Sequence, residues 1–321
     1  MEKVLITGIT GQDGLFLTRE IILSNPNTKI YGISRNKNNL DFEKKLDFLG
    51  ITNRNNIEMF NVDLSNKDEV NKFINSIEMT QIYNLSGPSS VYESIKNPIS
   101  SYDKITVIFE NLINSIKSNN LNVSFFQASS SEMFGKSKLN TFSENSNFNP
   151  QSPYAKAKLH NHQRVIDLSR TFNIKSGIMF NHESEFRDSK YLFSKIIRTA
   201  KKIKTKELNK LTVGSLTYER DWLFAGDVAK AMIKIINEGK ENSYIISSGK
   251  SHSIKYLIST VFDFYGLEWE KYVEVDSSLL RAGDPEKIYS DPSRLTKELD
   301  WKPKYNFEQL IERCILKNKS F

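Results

Sequence analysis

Thr7-Gly8-Ile9-Thr10-Gly11-Gln12-Asp13-Gly14 is the stretch on which the fold turns. It follows a short apolar run, Lys3 to Thr7, and leads straight into an apolar helical stretch, Leu15 to Leu23. Three glycines at three-residue spacing permit a tight turn and a close backbone approach, so free N–H groups at the helix start can meet a pyrophosphate. Glycine spacing alone is weak evidence, and its place between a first strand and a first helix is what gives it weight. Gly8, Thr10, Gly11, Gln12, Asp13 and Gly14 are therefore expected to line a dinucleotide site. The alternative is a glycine-rich turn without a ligand.

Outward from this loop, short β-branched or apolar runs alternate with amphipathic helical stretches. Lys29 to Ser34, Ile57 to Val62, Gln81 to Leu85, Val123 to Ala128 and Ile174 to Phe180 read as further strands. Lys67 to Ile77, Thr106 to Lys117 and Ser152 to Phe172 read as helices between them. Regular alternation of this kind predicts an α/β, doubly wound parallel sheet of the Rossmann type. The expected division is a dinucleotide-binding domain over 1–180 and a smaller C-terminal α/β lobe for substrate over 181–321. Segments around 222–247 are expected to return to the main sheet.

The bulk properties narrow the class. A chain of 321 residues with 38% hydrophobic and 26% charged residues is an ordinary globular protein long enough for two lobes. One cysteine, Cys314, leaves no internal disulfide and no cysteine cluster for a metal, which fits a reducing, cytoplasmic setting. No leader peptide is read at the N-terminus, and no window approaches the ~18 apolar residues of a membrane span. The net charge of +7 raises the question of nucleic acid. Between Lys190 and Lys210, however, Tyr191, Leu192, Ile196, Ile197 and Ala200 form an apolar stripe, which puts the cations on a solvated face and argues against a nucleic-acid partner.

At the end of the second strand the chain reads Ile33-Ser34-Arg35-Asn36-Lys37. A carboxylate here would hold a ribose 2′-hydroxyl, whereas the guanidinium of Arg35 suits a 2′-phosphate, so NADP is expected rather than NAD. A solvated Arg35 is the alternative. Asp63 and Leu64, after the third strand, are placed to flank an adenine or simply to cap a turn.

Gln127-Ala128-Ser129-Ser130-Ser131-Glu132 closes the fifth strand, and Pro153-Tyr154-Ala155-Lys156-Ala157-Lys158 opens the next helix. Tyr154 and Lys158 are four apart and share a helix face, where an ammonium is expected to lower the phenol's pKa and make it a base. Together with the glycine loop, these residues resemble the extended short-chain dehydrogenase/reductase family. Within it the chain is most similar to GDP-mannose 4,6-dehydratases, through Gly8 to Gly14, Tyr83-Asn84-Leu85, Gln127-Ala128-Ser129, Ser131-Glu132 and Ser152-Pro153-Tyr154. The likeness continues through Phe180-Asn181-His182-Glu183-Ser184, Arg220-Asp221-Trp222 and Trp301-Lys302-Pro303.

The resemblance implies a nucleotide-sugar 4,6-dehydratase, with a GDP-sugar as substrate, NADP as cofactor and a homodimer or homotetramer as assembly. It implies catalytic roles for Ser130, Glu132, Tyr154 and Lys158. It also places Leu85, Ser86, His182 and Arg187 at the cofactor, and Ser89, Asn181, Arg220, Arg281 and Glu286 at the substrate. No metal is implied. Two other readings are an epimerase or 4-keto reductase of the same superfamily, which needs no carboxylate at Glu132, and a non-catalytic NADP-binding scaffold. The chain departs from the family's pattern at Ser86-Gly87-Pro88-Ser89, Glu185-Phe186-Arg187-Asp188 and Arg281 to Glu286, on the sugar and nucleotide side.

Overall fold

The computed structural model describes residues 2–35, 40–136, 141–280 and 283–317. The first strands and helices follow in strict alternation: β1 (Lys3–Thr7), α1 (Gln12–Ser24), β2 (Lys29–Ile33), α2 (Leu40–Phe48), β3 (Ile57–Phe60), α3 (Lys67–Ser76) and β4 (Gln81–Asn84). Next come α4 (Val91–Lys96), α5 (Pro98–Ser118), β5 (Ser124–Ser130), α6 (Pro153–Leu168), β6 (Ile174–Met179) and β7 (Asn181–Glu183). The remainder comprises α7 (Leu192–Lys204), β8 (Leu211–Val213), β9 (Glu219–Phe224), α8 (Ala225–Glu238), β10 (Ser243–Ile246) and β11 (Ser251–Ser253). It ends with α9 (Ile254–Phe264), β12 (Val273–Val275), α10 (Ser293–Leu299) and α11 (Phe307–Leu316).

Seven strands form one parallel sheet in the order β10-β6-β5-β4-β1-β2-β3. The order reverses between β1 and β4, which opens a crevice at the carboxyl ends of those strands. Alternate side chains of each strand go to opposite layers. Val4, Ile6, Tyr83 and Phe126 pack in one layer with α1 and α8, while Leu5, Ile82 and Phe125 pack in the other with α3, α5 and α6. Both faces are covered, so the strands read as nearly continuous apolar runs.

A three-stranded sheet, β11-β9-β7, and a two-stranded pair, β12-β8, lie outside the large sheet. β10 is the edge strand of the large sheet, beside β6. Some element ends differ from the sequence reading. β5 runs on to Ser130, because Ser129 and Ser130 pair with Ile178 and Met179 of β6. α5 begins at Pro98 rather than near Thr106, with proline in the first turn where its missing N–H costs nothing. α6 begins at Pro153, capped by Ser152, whose hydroxyl accepts the Ala155 N–H at 3.1 Å.

Candidate active site

The glycine loop sits at the crevice. Gly8 has φ +70°, and a Cβ there would lie 3.0 Å from the Leu85 carbonyl oxygen of β4's extension. Gly14 lies against the backbone of Ile9, where a Cβ would come within 2.5 Å of both Cα and O. Gly11 caps α1 without a side-chain bond, so the first turn of the helix presents backbone donors. That cradle fits an anionic pyrophosphate. Thr10 bonds Ser34 at 3.2 Å, linking the loop to the end of β2, and Arg35 follows with its side chain exposed.

A buried polar relay crosses the strand ends. The Thr7 hydroxyl donates to Asn84 Oδ1 at 2.9 Å and accepts the N–H groups of Leu85 and Ser86 at 3.2 Å each. Asn84 Nδ2 donates to Gln127 Oε1 at 2.8 Å. The relay holds β1, β4 and β5 in step where Leu85, Ser86 and Ser130 emerge.

Tyr154 and Lys158 reach back to β5 from α6. The Lys158 ammonium donates to the Ala128 carbonyl at 2.8 Å and lies 5.7 Å from the centre of the Tyr154 ring. Tyr154 and Ser130 hydrogen-bond through their hydroxyls, and Glu132 is close enough for its charge to act on the phenol. Ser130 Oγ also accepts the Glu132 N–H at 3.3 Å, which fixes the carboxylate's turn beside the phenol. Ser130, Glu132, Tyr154 and Lys158 thus share one corner of the crevice.

The electrostatics differ from the sequence expectation. Burial pushes the Tyr154 phenol well above its ordinary value; the Ser130 bond pulls it back and Glu132 pushes it further up. Burial lowers Lys158 to about 8, against the charge of Asp13. The ammonium is committed to a backbone carbonyl, and desolvation outweighs any help it offers the phenol.

Asp13, in the glycine loop, would repel a pyrophosphate if left uncompensated. It is compensated: His182 Nε2 lies 2.9 Å from Asp13 Oδ1, while His182 Nδ1 lies 2.7 Å from the Phe180 carbonyl. Burial opposes Asp13's charge, but His182's charge and hydrogen bond, then Arg187, hold it at about 2. Gln12 donates to the His182 carbonyl at 3.1 Å and accepts from Ser184 Oγ at 2.7 Å, tying the loop to β7. Arg187 lies 3.3 Å from the buried Glu183 carboxylate, and its guanidinium covers the Tyr191 ring at 3.6 Å. Tyr191 in turn bonds Ser89 Oγ at 2.8 Å.

The remaining expected residues are more dispersed. Asp63 accepts the N–H and hydroxyl of Ser65 at 2.9 and 2.6 Å, the geometry of a turn cap, although it is near enough to Arg35 to feel its charge. Leu64 is buried, its carbonyl accepting from Asn111 at 3.0 Å. Asn181 is exposed at the start of β7. Arg220 is engaged by protein: it donates to Asp284 at 2.9 Å and to the carbonyls of Glu219 and Glu286 at 2.8 and 3.3 Å. Glu286 has an exposed side chain. Arg281 lies outside the described residues.

Against known families, residues 5–314 match the model described as GDP-mannose 4,6 dehydratase. The chain belongs to the GDP-mannose 4,6-dehydratase family. It is accordingly an enzyme, a hydro-lyase of the nucleotide-sugar dehydratase class. It is 30% identical to GDP-mannose 4,6 dehydratase 1 of Arabidopsis thaliana, over 97% of this chain and 88% of that one. Its fold is similar to the dTDP-glucose 4,6-dehydratase of Bacillus anthracis in complex with NAD, at TM-score 0.83 and 18% identity, covering 99% and 96% of the two chains. A UDP-glucose 4-epimerase of Thermotoga maritima, with UDP-glucose, superimposes at TM-score 0.84 and 17% identity over 98% of each chain. A dehydratase and an epimerase thus share this architecture.

Within the family's frame, four residues at the site escaped the sequence reading. Glu183 and Tyr191 gather around Arg187, Asp284 meets Arg220, and Gln127 anchors the relay. Glu183 and Gln127 lay inside quoted motifs without a role. Tyr191 belongs to the apolar stripe between Lys190 and Lys210, and its hydroxyl is the signal that it also serves a polar site.

Proposed function

We propose that this enzyme converts a GDP-sugar, GDP-mannose or a related GDP-hexose or heptose, to its 4-keto-6-deoxy product, with NADP as a cofactor regenerated in each turnover. The observation that carries this reading is the convergence of Tyr154, Ser130 and Glu132 at one corner, with Lys158 held against Ala128. When bound, NADP would supply the hydride acceptor and donor that make the overall elimination redox-neutral. Gly8, Thr10, Gly11, Gln12, Gly14, Leu85 and Ser86 would cradle the dinucleotide, and Asp63 and Leu64 would flank its adenine. Asp13, His182 and Arg187 close the loop with their charges balanced.

The C4 hydroxyl proton goes to Tyr154 in its phenolate form, which the Ser130 hydroxyl favours and burial opposes, and Ser130 hydrogen-bonds the C4 oxygen. Once C4 is a ketone, the C5 hydrogen is acidic; Glu132 takes that proton and passes it to the C6 hydroxyl, which leaves as water, and C5 then takes a proton from solvent as hydride returns to C6. Lys158 orients the cofactor ribose. Ser89, Asn181, Arg220, Arg281 and Glu286 receive the nucleotide sugar, with the Arg220 fork fixed by Asp284 and by the Glu219 and Glu286 carbonyls. Arg35 supplies the preference for NADP; the ratio of NADP to NAD affinity should favour NADP and narrow in Arg35→Ala, and equal affinities in the native protein would remove the assignment.

Glu132→Gln tests the elimination. The variant should still bind NADP and sugar nucleotide but lose water elimination by roughly 10²- to 10⁴-fold, the usual cost of a missing acid/base group. In deuterated water the native product should carry solvent deuterium at C5. Dehydration at the native rate in the variant, or retention of the original C5 hydrogen, would replace this mechanism with that of an epimerase or reductase.

The assembly proposed is a homodimer or homotetramer working in the cytoplasm. Tyr92, Ile95, Ile99, Val107 and Ile166 are large, exposed apolar side chains on the three neighbouring helices α4, α5 and α6, and this is the surface a second copy would cover. The lone thiol, Cys314, is buried, consistent with a reducing compartment. No helix among the described residues is long and apolar enough to cross a membrane.

A further inference from the structure

α6 carries a third polar side chain in the same register as Tyr154 and Lys158. His162 lies four residues beyond Lys158, on the same buried face, about 12 Å along the helix from Tyr154. All three reach towards β5. Tyr154 meets Ser130, Lys158 meets the Ala128 carbonyl, and His162 meets Ser129.

The lowest of these contacts is a closed polar cluster. His162 Nδ1 lies 2.9 Å from Ser176 Oγ of β6 and 3.4 Å from Ser129 Oγ of β5. Ser176 Oγ donates to Ser129 Oγ at 2.7 Å, so its other contact, with the ring, is made by a protonated Nδ1. His162, Ser129 and Ser176 are 3%, 1% and 0% exposed. Burial lowers the imidazole to about 4, which keeps the ring neutral across the physiological range.

An apolar trio would fill this space without the cost of desolvating an imidazole and two hydroxyls. Apolar packing, however, tolerates sliding, whereas a directional bond from helix to both strands does not. The cluster joins the helix that bears the base to the strand that bears Ser130, one residue from Ser130 itself. Its position matters because a misplacement of about 1 Å in a catalytic group is enough to slow a reaction by two orders of magnitude.

We propose that His162, with Ser176 and Ser129, is a positioning residue that sets α6 against β5 and thereby aligns Tyr154 and Lys158 with Ser130 and Glu132. This inference rests on the catalytic reading of Tyr154 and Lys158 given above.

The test compares His162→Leu, His162→Asn and Ser176→Ala with the native enzyme in steady-state dehydration. Leu removes the donor at similar volume, and Asn restores an N–H near the place of Nδ1. His162→Leu should lower kcat by about tenfold with KM for the sugar nucleotide within about twofold, since the binding groups lie on other elements. His162→Asn should recover most of that loss. Ser176→Ala should reproduce it, and the His162→Leu/Ser176→Ala double variant should fall no further, as members of one network do. A native kcat in His162→Leu, a change in KM alone, or additive losses without rescue by Asn would overturn the proposal. Should the Leu variant fail to fold, Ser176→Ala decides, because it deletes one hydroxyl and a native kcat there refutes the role. Tyr154→Phe run in parallel separates the two readings: if it stays active, the catalytic assignment falls, and if it is inactive while the cluster variants are not, only the positioning role falls.

Discussion

His182 shows how a single residue makes the glycine loop fit for an anion. Its Nδ1 faces a carbonyl and its Nε2 faces a carboxylate. Neither acceptor has a proton to give, so both ring nitrogens carry one and the ring is an imidazolium. Burial works against that charge, but Asp13's charge and hydrogen bond outweigh it and raise His182 above its ordinary value. A raised folded pKa means that the pair's contribution to stability is complete below the unfolded value of about 6.5 and is lost as pH rises through the folded one. Asp13, depressed to about 2, has the opposite sign and fails only in strong acid. NMR titration of His182 should give a midpoint above about 6.5, and Asp13→Asn should bring it down. Affinity for the nicotinamide dinucleotide should weaken as pH climbs past that midpoint, because Asp13 is then an unbalanced negative charge in the glycine loop. A His182 that titrates at or below the ordinary imidazole value would refute the imidazolium.

At the scale of elements, the join between β1 and α1 depends on the smallest side chains. Gly14 sits in the first turn of α1 with the Ile9 backbone where a Cβ would be. Its contacts are backbone atoms, which cannot rotate aside. Gly14→Ala should therefore push α1 away from the strand end, costing about 1–3 kcal/mol as overpacking does. The expected result is a melting temperature lower by roughly 2 to 6 °C, together with a loss of NADP binding out of proportion to the loss of stability. Unchanged cofactor affinity in a folded Gly14→Ala protein would show that helix placement does not set the phosphate cradle. The glycine spacing made this element legible in the sequence. The start of α5 at Pro98, eight residues before the helix read from Thr106, was less legible, because its first turns carry little apolar period and are held by packing against α4 and α6.

For the whole molecule, the parallel sheet brings residues more than 170 positions apart to one crevice. Gln12 meets Ser184 across that interval, and Thr7 meets Asn84 and, through it, Gln127. The exposed apolar side chains of α4, α5 and α6 belong to this scale as well. Light scattering on the purified protein should give a mass of two or four chains, and Ile99→Glu with Val107→Glu should shift it towards the monomer. A native protein that elutes as a monomer at micromolar concentration, or a double variant that assembles unchanged, would rule out this surface as the contact between copies.

Local pattern was enough for the alternation of strands and helices, the glycine loop and the helical pairing of Tyr154 with Lys158, because each depends on neighbours within a turn or a strand. Those features follow from period and spacing in the chain itself. Tertiary structure alone decided the rest: that Asp13 is neutralised by His182, that Arg220 is gripped by Asp284, and that burial raises Tyr154 where spacing had suggested a lowered phenol. The physical reason is that charge, desolvation and hydrogen bonding act through space. The partner that settles each of these groups comes from a different segment of the chain, and the dielectric around it exists only once the layers have closed.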